Sequence, residues 1–164
     1  LRLAAEGGVA AIGFHPRAAK VGHKGSPDYA LTRELVEAID IPVIVSGGLK
    51  SAEAARAAYE ESGADAVMIA RGSLGNPWVF EELTGRRAAP PAPEEVAAEL
   101  LWVMDRAEEH LGSERATRYL RKFYPWYLAL LDAPEAVADE LQRRADLPRA
   151  RELVQALATP VAVG

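Results

Sequence analysis

The stretch MIARGSLGNPWVF (Met68–Phe80) decides how the rest of the chain is interpreted, because an apolar run stops there at an arginine and a glycine. Glycine lets backbone N–H groups approach an anion closely, and arginine offers a charged fork to the same oxygens. Asn76 and Pro77 are suited to cap and start a helix behind them. The stretch therefore predicts a buried strand whose end contributes to an anion site, followed by a short helix.

Two similar strand-and-helix units precede this stretch. The apolar runs are VAAIGFH (Val9–His15), IPVIVSGG (Ile41–Gly48) and ADAVMIARG (Ala64–Gly72), and helical patterns separate them. Continuous rather than alternating apolar runs are typical of parallel strands that are buried on both faces. The order β-α-β-α-β predicts a parallel α/β sheet or barrel.

End signals bound the two intervening helices. Ser26 suits the N-cap of the first helix and Pro27 its first position, with apolar residues four apart from Leu31 onward. Ser51 is the predicted N-cap of the second helix and Gly63 its C-cap. The opening LRLAAEGG reads as the end of another helix, so we expect the chain to be a fragment of a longer one.

The second half of the chain is helical in pattern. Residues 84–94, TGRRAAPPAPE, hold three prolines without periodicity and are the predicted linker. An apolar stripe from Val96 to Ala107 predicts a helix that ends at Gly112. A second helix begins at Ser113 and is interrupted at Pro125, and two more segments follow.

Composition narrows the classes of function. The chain has 164 residues with 49% hydrophobic content, enough for one or two small domains. A net charge of −5 argues against a globally basic nucleic-acid binder, so any polyanion site must be a local patch. The sequence contains no cysteine, which excludes disulfides, zinc–thiolate sites and a cysteine nucleophile within it. No metal site and no membrane span is predicted.

Candidate ligand-binding residues follow each of the three predicted strands. In parallel sheets and barrels, ligands bind at the carboxyl edge of the strands. A plain turn at the glycines and a surface salt bridge at the last arginine are the alternatives. Their occurrence on successive strands favours a phosphate site. The candidates are His15, Arg17, Ser46, Gly47, Gly48, Ala70 and Arg71.

The segment ERATRYLRKFYPWYL (114–128) is a second candidate site. Its basic residues recur about every three positions, so they are predicted to share one helix face, and residues 114–122 carry a net charge of +3. The pattern fits either a solvated basic face over an aromatic core or a face that tracks RNA phosphates. The basic residues are Arg115, Arg118, Arg121 and Lys122.

Together these segments resemble the tRNA-dihydrouridine synthases, flavin enzymes with an FMN-binding (β/α)8 barrel followed by a small helical domain. FHPRAAKVGHKGSPDY resembles the end of the family's sixth strand, IPVIVSGGLKSAEAA the seventh, and SGADAVMIARGSLGNPWVF the eighth. LRKFYPWYL is similar to the family's Arg-Lys-His…Trp-Tyr segment. The resemblance implies the C-terminal portion of a TIM barrel followed by a small all-α helical domain.

By this resemblance, residues 1–83 are a partial FMN-binding barrel domain, 84–94 a linker, 95–158 a helical tRNA-binding domain and 159–164 a tail. His15 would contact the flavin. The FMN phosphate would be held by Ser46, Gly47, Gly48, Ala70 and Arg71, and tRNA by Arg17, Arg115, Arg118, Arg121 and Lys122. Ser46 stands where the family usually has asparagine, and Pro16 where it usually has glycine.

The family reaction reduces the C5–C6 double bond of a uridine in tRNA. NADPH reduces the flavin, the flavin passes a hydride to C6, and a cysteine protonates C5. That cysteine lies on an earlier part of the family barrel, so we expect this chain alone to be inactive and the other half of the barrel to be its partner. A cytoplasmic protein is expected.

Two alternative functions stay open on the sequence. Other FMN barrel oxidoreductases, similar to dihydroorotate dehydrogenase or old yellow enzyme, share the Gly-Gly and Gly-Arg clamp but lack the helical domain. The other alternative is a non-catalytic, RNA-binding remnant, which the absence of cysteine favours.

Overall fold

The computed structural model describes residues 6–18 and 25–158. The chain divides into two compact units. The sheet unit comprises residues 1–73 and 78–88, and the helical unit comprises residues 74–77 and 89–164. The predicted helix end at the N-terminus and the predicted tail at 159–164 lie largely or wholly outside the described residues.

The sheet unit is a three-stranded parallel sheet with helices between its strands, and the strands lie side by side in chain order. Ile44 of the middle strand lies opposite Gly13 of the first strand and opposite Ala66 of the third. The predicted parallel β-α-β-α-β order is therefore confirmed. The elements are β1 (Ile12–Phe14), α1 (Tyr29–Glu37), β2 (Val43–Ser46), α2 (Ala52–Ser62), β3 (Ala66–Met68), a 3-10 turn (Arg71–Ser73) and α3 (Val79–Leu83).

Burial differs among the three strands. Val43 and Val45 of β2 are fully buried, whereas β1 and β3 are partly exposed, and Met68 is 53% exposed. The prediction that all three strands are buried on both faces is wrong for the outer two. The reason is that, among the described residues, β1 and β3 each pair with β2 alone.

Local signals set the ends of α2 but not those of α1 and α3. The Ser51 hydroxyl accepts the Ala54 N–H at 3.1 Å, and Gly63 ends the helix at φ 65°, both as predicted. The predicted start of α1 at Ser26 and Pro27 is wrong, because α1 begins at Tyr29. The Asp28 N–H instead donates to the carbonyl of Pro16 at 2.8 Å, which holds the preceding segment to the loop after β1.

Two further predictions about helices are corrected. The four-residue apolar spacing that begins at Leu31 does not mark a buried position there, because Leu31 is exposed and the adjacent Thr32 is buried. Asn76 and Pro77 do not start α3, which begins at Val79 after Trp78. Residues 74–77 belong to the helical unit, where a Cβ at Gly75 would lie 2.6 Å from the Cβ of Trp126.

The helical unit contains five helices in its described part. Gly112 ends the first of them at φ 75°, and Pro125 lies in the first turn of the third, so the predicted stop and the predicted interruption are confirmed. The Glu95 carboxylate accepts the Ala92 N–H at 2.9 Å at the start of the first. The helices are α4 (Pro93–Leu111), α5 (Ser113–Leu120), α6 (Tyr124–Leu130), α7 (Glu135–Arg143) and α8 (Leu147–Ala158).

The core of the helical unit forms around α4, which packs against α5, α6 and α8. Arg151 of α8 pairs with Asp105 and, at 2.8 Å, with Glu108 of α4. No helix in the described part of the chain is long and apolar enough to cross a bilayer. The side chains that are at most 1% exposed include Val96, Leu100, Met104, Leu120, Leu141, Leu147 and Val154.

Candidate functional site

The loops after β1 and β2 meet at His15 and Gly47. A Cβ at position 47 would lie 2.3 Å from Cε1 and 2.5 Å from Nδ1 of the His15 ring. Gly47 also has φ +98°, a conformation that side-chain-bearing residues rarely adopt. The imidazole therefore lies directly against the backbone of Gly47, and only glycine fits there.

Tyr29 holds the same glycine turn through its hydroxyl. The hydroxyl donates to the Gly47 carbonyl at 2.7 Å. A Cβ at Gly48 would lie 3.0 Å from the Tyr29 hydroxyl oxygen. Burial is the main cause that raises the pKa of Tyr29, and Glu61 raises it further while Arg17 opposes. The hydroxyl thus stays protonated and remains a donor. This role of Tyr29 was not predicted from the sequence. The sequence shows only a tyrosine, with its hydroxyl group, near the start of a predicted helix.

Arg17 carries an unpaired donor in this region. Its backbone N–H donates to the His15 carbonyl at 2.8 Å. The side chain is half-buried, and its Nε is buried without a hydrogen-bond partner among the described residues. A buried unsatisfied donor costs about 1–3 kcal/mol, so this guanidinium is suited to donate a hydrogen bond to an anion.

Ser46 uses its side chain within the sheet. It is buried, and its hydroxyl donates to the carbonyl of Phe14 at 3.3 Å, which joins β2 to β1. The hydroxyl proton is therefore directed at a neighbouring strand rather than at a ligand. What Ser46 can still offer an anion is its backbone.

The loops after β2 and β3 also touch. A Cβ at Gly72 would lie 2.3 Å from the Leu49 carbonyl oxygen and 3.1 Å from the Cα of Lys50. The predicted third strand ends at Met68 rather than at Gly72, because the Ala70 carbonyl accepts the N–H of Ser73 at 3.1 Å and closes a 3-10 turn. Arg71 is exposed on this turn.

The structure thus brings together most of the residues predicted at the strand ends. His15 lies on Gly47, Tyr29 lies on Gly48, and the β2 loop lies on Gly72 beside Arg71. Each contact is backbone against ring or backbone against backbone. The arrangement offers glycine-lined backbone, a histidine and two arginines at one edge of a parallel sheet.

The basic residues of the helical unit fall into two groups. Arg115 and Arg118 lie on α5, whereas Arg121 and Lys122 lie in the turn after Leu120, so the prediction of one shared helix face holds only in part. Arg121 is half-buried, and its Nε has no partner among the described residues. The other three are exposed, and Arg118 pairs with Glu114 at 2.8 Å.

Lys122 belongs to a cluster that we call the aromatic–basic patch, made of Tyr119, Lys122 and Phe123. The Lys122 ammonium lies 4.0 Å from the centroid of the Tyr119 ring and 5.1 Å from that of Phe123. The two rings are 5.0 Å apart and inclined at 45°. This geometry is a cation–π contact on the outside of the helical unit.

A parallel sheet with helices between its strands, and with strand-end loops in mutual contact, places the sheet unit in the α/β class of proteins. The family profile for dihydrouridine synthases matches residues 1–162. The chain therefore belongs to the dihydrouridine synthase family, which confirms the predicted resemblance. Membership decides against the alternatives similar to dihydroorotate dehydrogenase or old yellow enzyme.

Curated relatives agree with this assignment. The chain is 31% identical to tRNA-dihydrouridine synthase B of Shewanella oneidensis over 143 residues, which cover 84% of this chain and 44% of the relative. It is 32% identical to the Xanthomonas campestris protein of the same name over 157 residues, covering 92% and 46%. A probable tRNA-dihydrouridine synthase of Mycobacterium leprae is 38% identical over 133 residues, covering 77% and 35%. The chain spans less than half of each relative.

Proposed function

We propose that this chain is the C-terminal portion of an FMN-dependent enzyme that reduces uridine to 5,6-dihydrouridine in tRNA, with NADPH as the reductant. Residues 1–83 supply the last three strands of a TIM barrel, 84–94 a linker, 95–158 a tRNA-binding helical domain and 159–164 a tail. The supporting observation is the contact of the strand-end loops, where Gly72 lies against the Leu49 carbonyl.

The strand-end loops suit the phosphate of FMN. Gly47 and Gly72 leave no room for a Cβ, so the His15 ring and the Leu49 carbonyl pack directly on glycine backbone, and backbone N–H groups of such glycine turns are suited to bind an anion. Arg71 is exposed beside them, and Arg17 has a buried Nε without a partner in the described residues. Cationic donors and glycine backbone are the usual groups that bind phosphate.

Each strand-end residue then has a role in holding the cofactor. Tyr29 fixes the Gly47 turn, and Arg71 supplies the charged fork. Ser46 contributes through its backbone, because its hydroxyl is bonded to Phe14. When bound, FMN supplies the hydride for the uracil ring, and the protein orients it. The groups that would hold FMN are His15, Ser46, Gly47, Gly48, Ala70 and Arg71, and Arg17 would add a second cation for the phosphate.

The tRNA would be bound by the exposed basic residues of the helical unit. Arg115, Arg118 and Lys122 are exposed and can neutralise phosphates, which makes binding depend on salt. Arg121 would contribute less charge to the surface, because its side chain is half-buried. Arg17 lies with the strand-end loops, a position that supports a phosphate contact at the cofactor rather than along the tRNA backbone.

The proton required at C5 would come from outside this chain, which has no cysteine. The chain therefore provides the phosphate-binding edge and the tRNA-binding helices, and the preceding barrel strands provide the acid. The outer strand β1 would pair with those strands. We expect the reaction to take place in the cytoplasm.

The test is a chimera in which this chain replaces the matching segment of the Shewanella oneidensis relative. With NADPH and an unmodified tRNA transcript, the chimera should form dihydrouridine. Arg71→Gln in the chimera should weaken FMN binding. A chimera that binds FMN but leaves every tRNA uridine unreduced would contradict the proposal.

An assay of the isolated chain, read together with the chimera, distinguishes a portion of a synthase from a non-catalytic RNA-binding remnant. Given FMN, NADPH and tRNA, it should form no dihydrouridine, because the acid is missing. Formation of dihydrouridine by the isolated chain would show that the acid lies within it. A remnant, by contrast, would also fail to restore activity in the chimera.

A further inference from the structure

The aromatic–basic patch has a geometry that simple solvation of the lysine does not require. Tyr119 is 43% exposed, yet its ring is held in place by Phe123, whose centroid lies 5.0 Å away. The Lys122 ammonium lies over the same ring at 4.0 Å instead of extending into solvent. A partly exposed aromatic ring therefore lies next to an exposed lysine ammonium.

We infer that Tyr119 is a stacking platform for an unpaired RNA base and that Lys122 binds the phosphate beside that base. This inference rests on the proposed tRNA function and adds a base contact to it. The patch belongs to a segment, residues 114–122, with a net charge of +3 in a chain of net charge −5. A polyanion that also has exposed π-faces is the partner that complements both features.

A comparison of interaction energies indicates that an RNA base would replace the Lys122 ammonium on the Tyr119 ring. An exposed cation–π contact is worth about 0.5–1 kcal/mol. Base–aromatic stacking is worth about 1–3 kcal/mol per base. A base can therefore displace the ammonium, and the flexible four-carbon stem of Lys122 lets the charge move to a neighbouring phosphate.

Phe123 gives the platform its rigidity. A tyrosine that is free to rotate would have to be ordered on binding, at a cost of about 0.5–1.5 kcal/mol for an immobilised side chain. The contact with Phe123 removes part of that cost in the unbound protein. A ring that already packs against a neighbour would therefore bind a base at a smaller entropic cost.

The test compares two RNA probes of equal length, an unstructured single strand of mixed sequence and a fully paired duplex. Tyr119→Leu should weaken binding of the single strand by about 5- to 150-fold. The duplex has no free base, so its affinity should not change. Tyr119→Phe keeps the ring and should retain the affinity. Tyr59→Leu is the matched control, because Tyr59 is similarly exposed, at 48%, in the sheet unit.

Salt dependence separates the ring from the charge. Lys122→Gln should lower the slope of log affinity against log salt by about 0.7 for the single strand. Tyr119→Leu should leave that slope unchanged while lowering the affinity. Circular dichroism of each variant shows whether α5 is intact.

Two results would overturn the stacking role. One is an unchanged single-strand affinity in Tyr119→Leu, and the other is an equal loss for the strand and the duplex. Either result leaves the proposed tRNA function standing as long as the wild-type chain binds a tRNA transcript. Failure of the wild-type chain to bind tRNA at all would overturn the proposed tRNA contact itself.

Discussion

The two units of this chain bury their apolar side chains to different extents. The helical unit encloses a core to which all five of its described helices contribute, with Leu100 and Met104 of α4 fully buried. The sheet unit buries the valines of β2 and three alanines of α2, Ala52, Ala55 and Ala58, but it leaves Met68 of β3 53% exposed. Side-chain packing is thus more complete in the helical unit than on the outer strands of the sheet.

The difference extends to how each unit would do its work. The sheet unit builds its site by bringing backbone close to backbone, as at Gly72 and the Leu49 carbonyl. The helical unit presents side chains from a packed scaffold, as at Tyr119 and Lys122. Truncating a buried side chain should therefore harm the helical unit most, whereas the strand-end loops of the sheet unit should be most sensitive to an added Cβ.

The largest effect is expected from Leu100→Ala. Leu100 is fully buried in α4, so its truncation should lower the free energy of unfolding of the helical unit by about 2–5 kcal/mol. Met68→Ala, at an exposed strand position, should change the free energy of unfolding of the sheet unit by less than about 0.5 kcal/mol. Urea unfolding followed by circular dichroism measures both. Equal losses for the two variants would remove the distinction between the units.

Gly72→Ala should act next most strongly. The added Cβ would meet the Leu49 carbonyl oxygen at 2.3 Å, and overpacking of this kind costs about 1–3 kcal/mol. The loops after β2 and β3 should separate, and FMN binding should weaken. Gly13→Ala is the control, since a Cβ at Gly13 meets nothing within 4 Å. The idea fails if both variants bind FMN equally well in a fluorescence titration.

Alkaline pH should destabilise the helical unit. Burial raises the pKa of both Tyr124 and Tyr127 to about 12 from a model-peptide value of 10.0. Below pH 10 both residues are neutral whether the chain is folded or unfolded, so their full contribution is present. As the pH rises to about 12, the unfolded chain loses these protons more readily than the folded chain, and stability falls.

Urea midpoints measured across that pH range test this effect. Tyr124→Phe removes one of the two groups and should make the fall shallower. The same fall in the variant as in the wild type would show that other groups cause it.

Tyr29→Phe should have a smaller effect. It removes the hydrogen bond to the Gly47 carbonyl, which is worth about 0.5–1.5 kcal/mol, while it keeps the ring. FMN affinity should fall because the turn is less firmly fixed. Tyr59→Phe is the matched control on the exposed face of α2. If the two variants bind FMN alike, Tyr29 does not position the turn.

Arg118→Gln should have the smallest effect on folding, since Arg118 is exposed and its pair with Glu114 lies at the surface. It should reduce the salt slope of tRNA binding by about 0.9, the value for one phosphate contact on a duplex. An unchanged slope would mean that this side of α5 does not face RNA.

Much of the fold could be predicted from local signals. The parallel order of the strands follows from three apolar runs, and the ends at Gly63 and Gly112 follow from glycine's access to positive φ. The start of α1 could not be predicted in this way. It depends on a hydrogen bond from Asp28 to Pro16, a contact that no local pattern shows.

The candidate site was predictable in its residue types but not in its contacts. Glycines and arginines at strand ends are visible in the sequence. The bond between Tyr29 and Gly47 joins positions 18 residues apart, and the approach of Leu49 to Gly72 likewise depends on how the loops pack. The burial of Arg121, in contrast to the exposure of Lys122, follows from where α5 ends.

The most direct test of the central claim, that the strand-end loops bind the phosphate of FMN, is a comparison of FMN with riboflavin. The two ligands differ only in the phosphate, and their binding to the wild-type chain and to Arg71→Gln can be followed by flavin fluorescence. The wild-type chain should bind FMN more tightly than riboflavin, and the preference should disappear in Arg71→Gln. Equal affinity for the two flavins in the wild-type chain would contradict the claim.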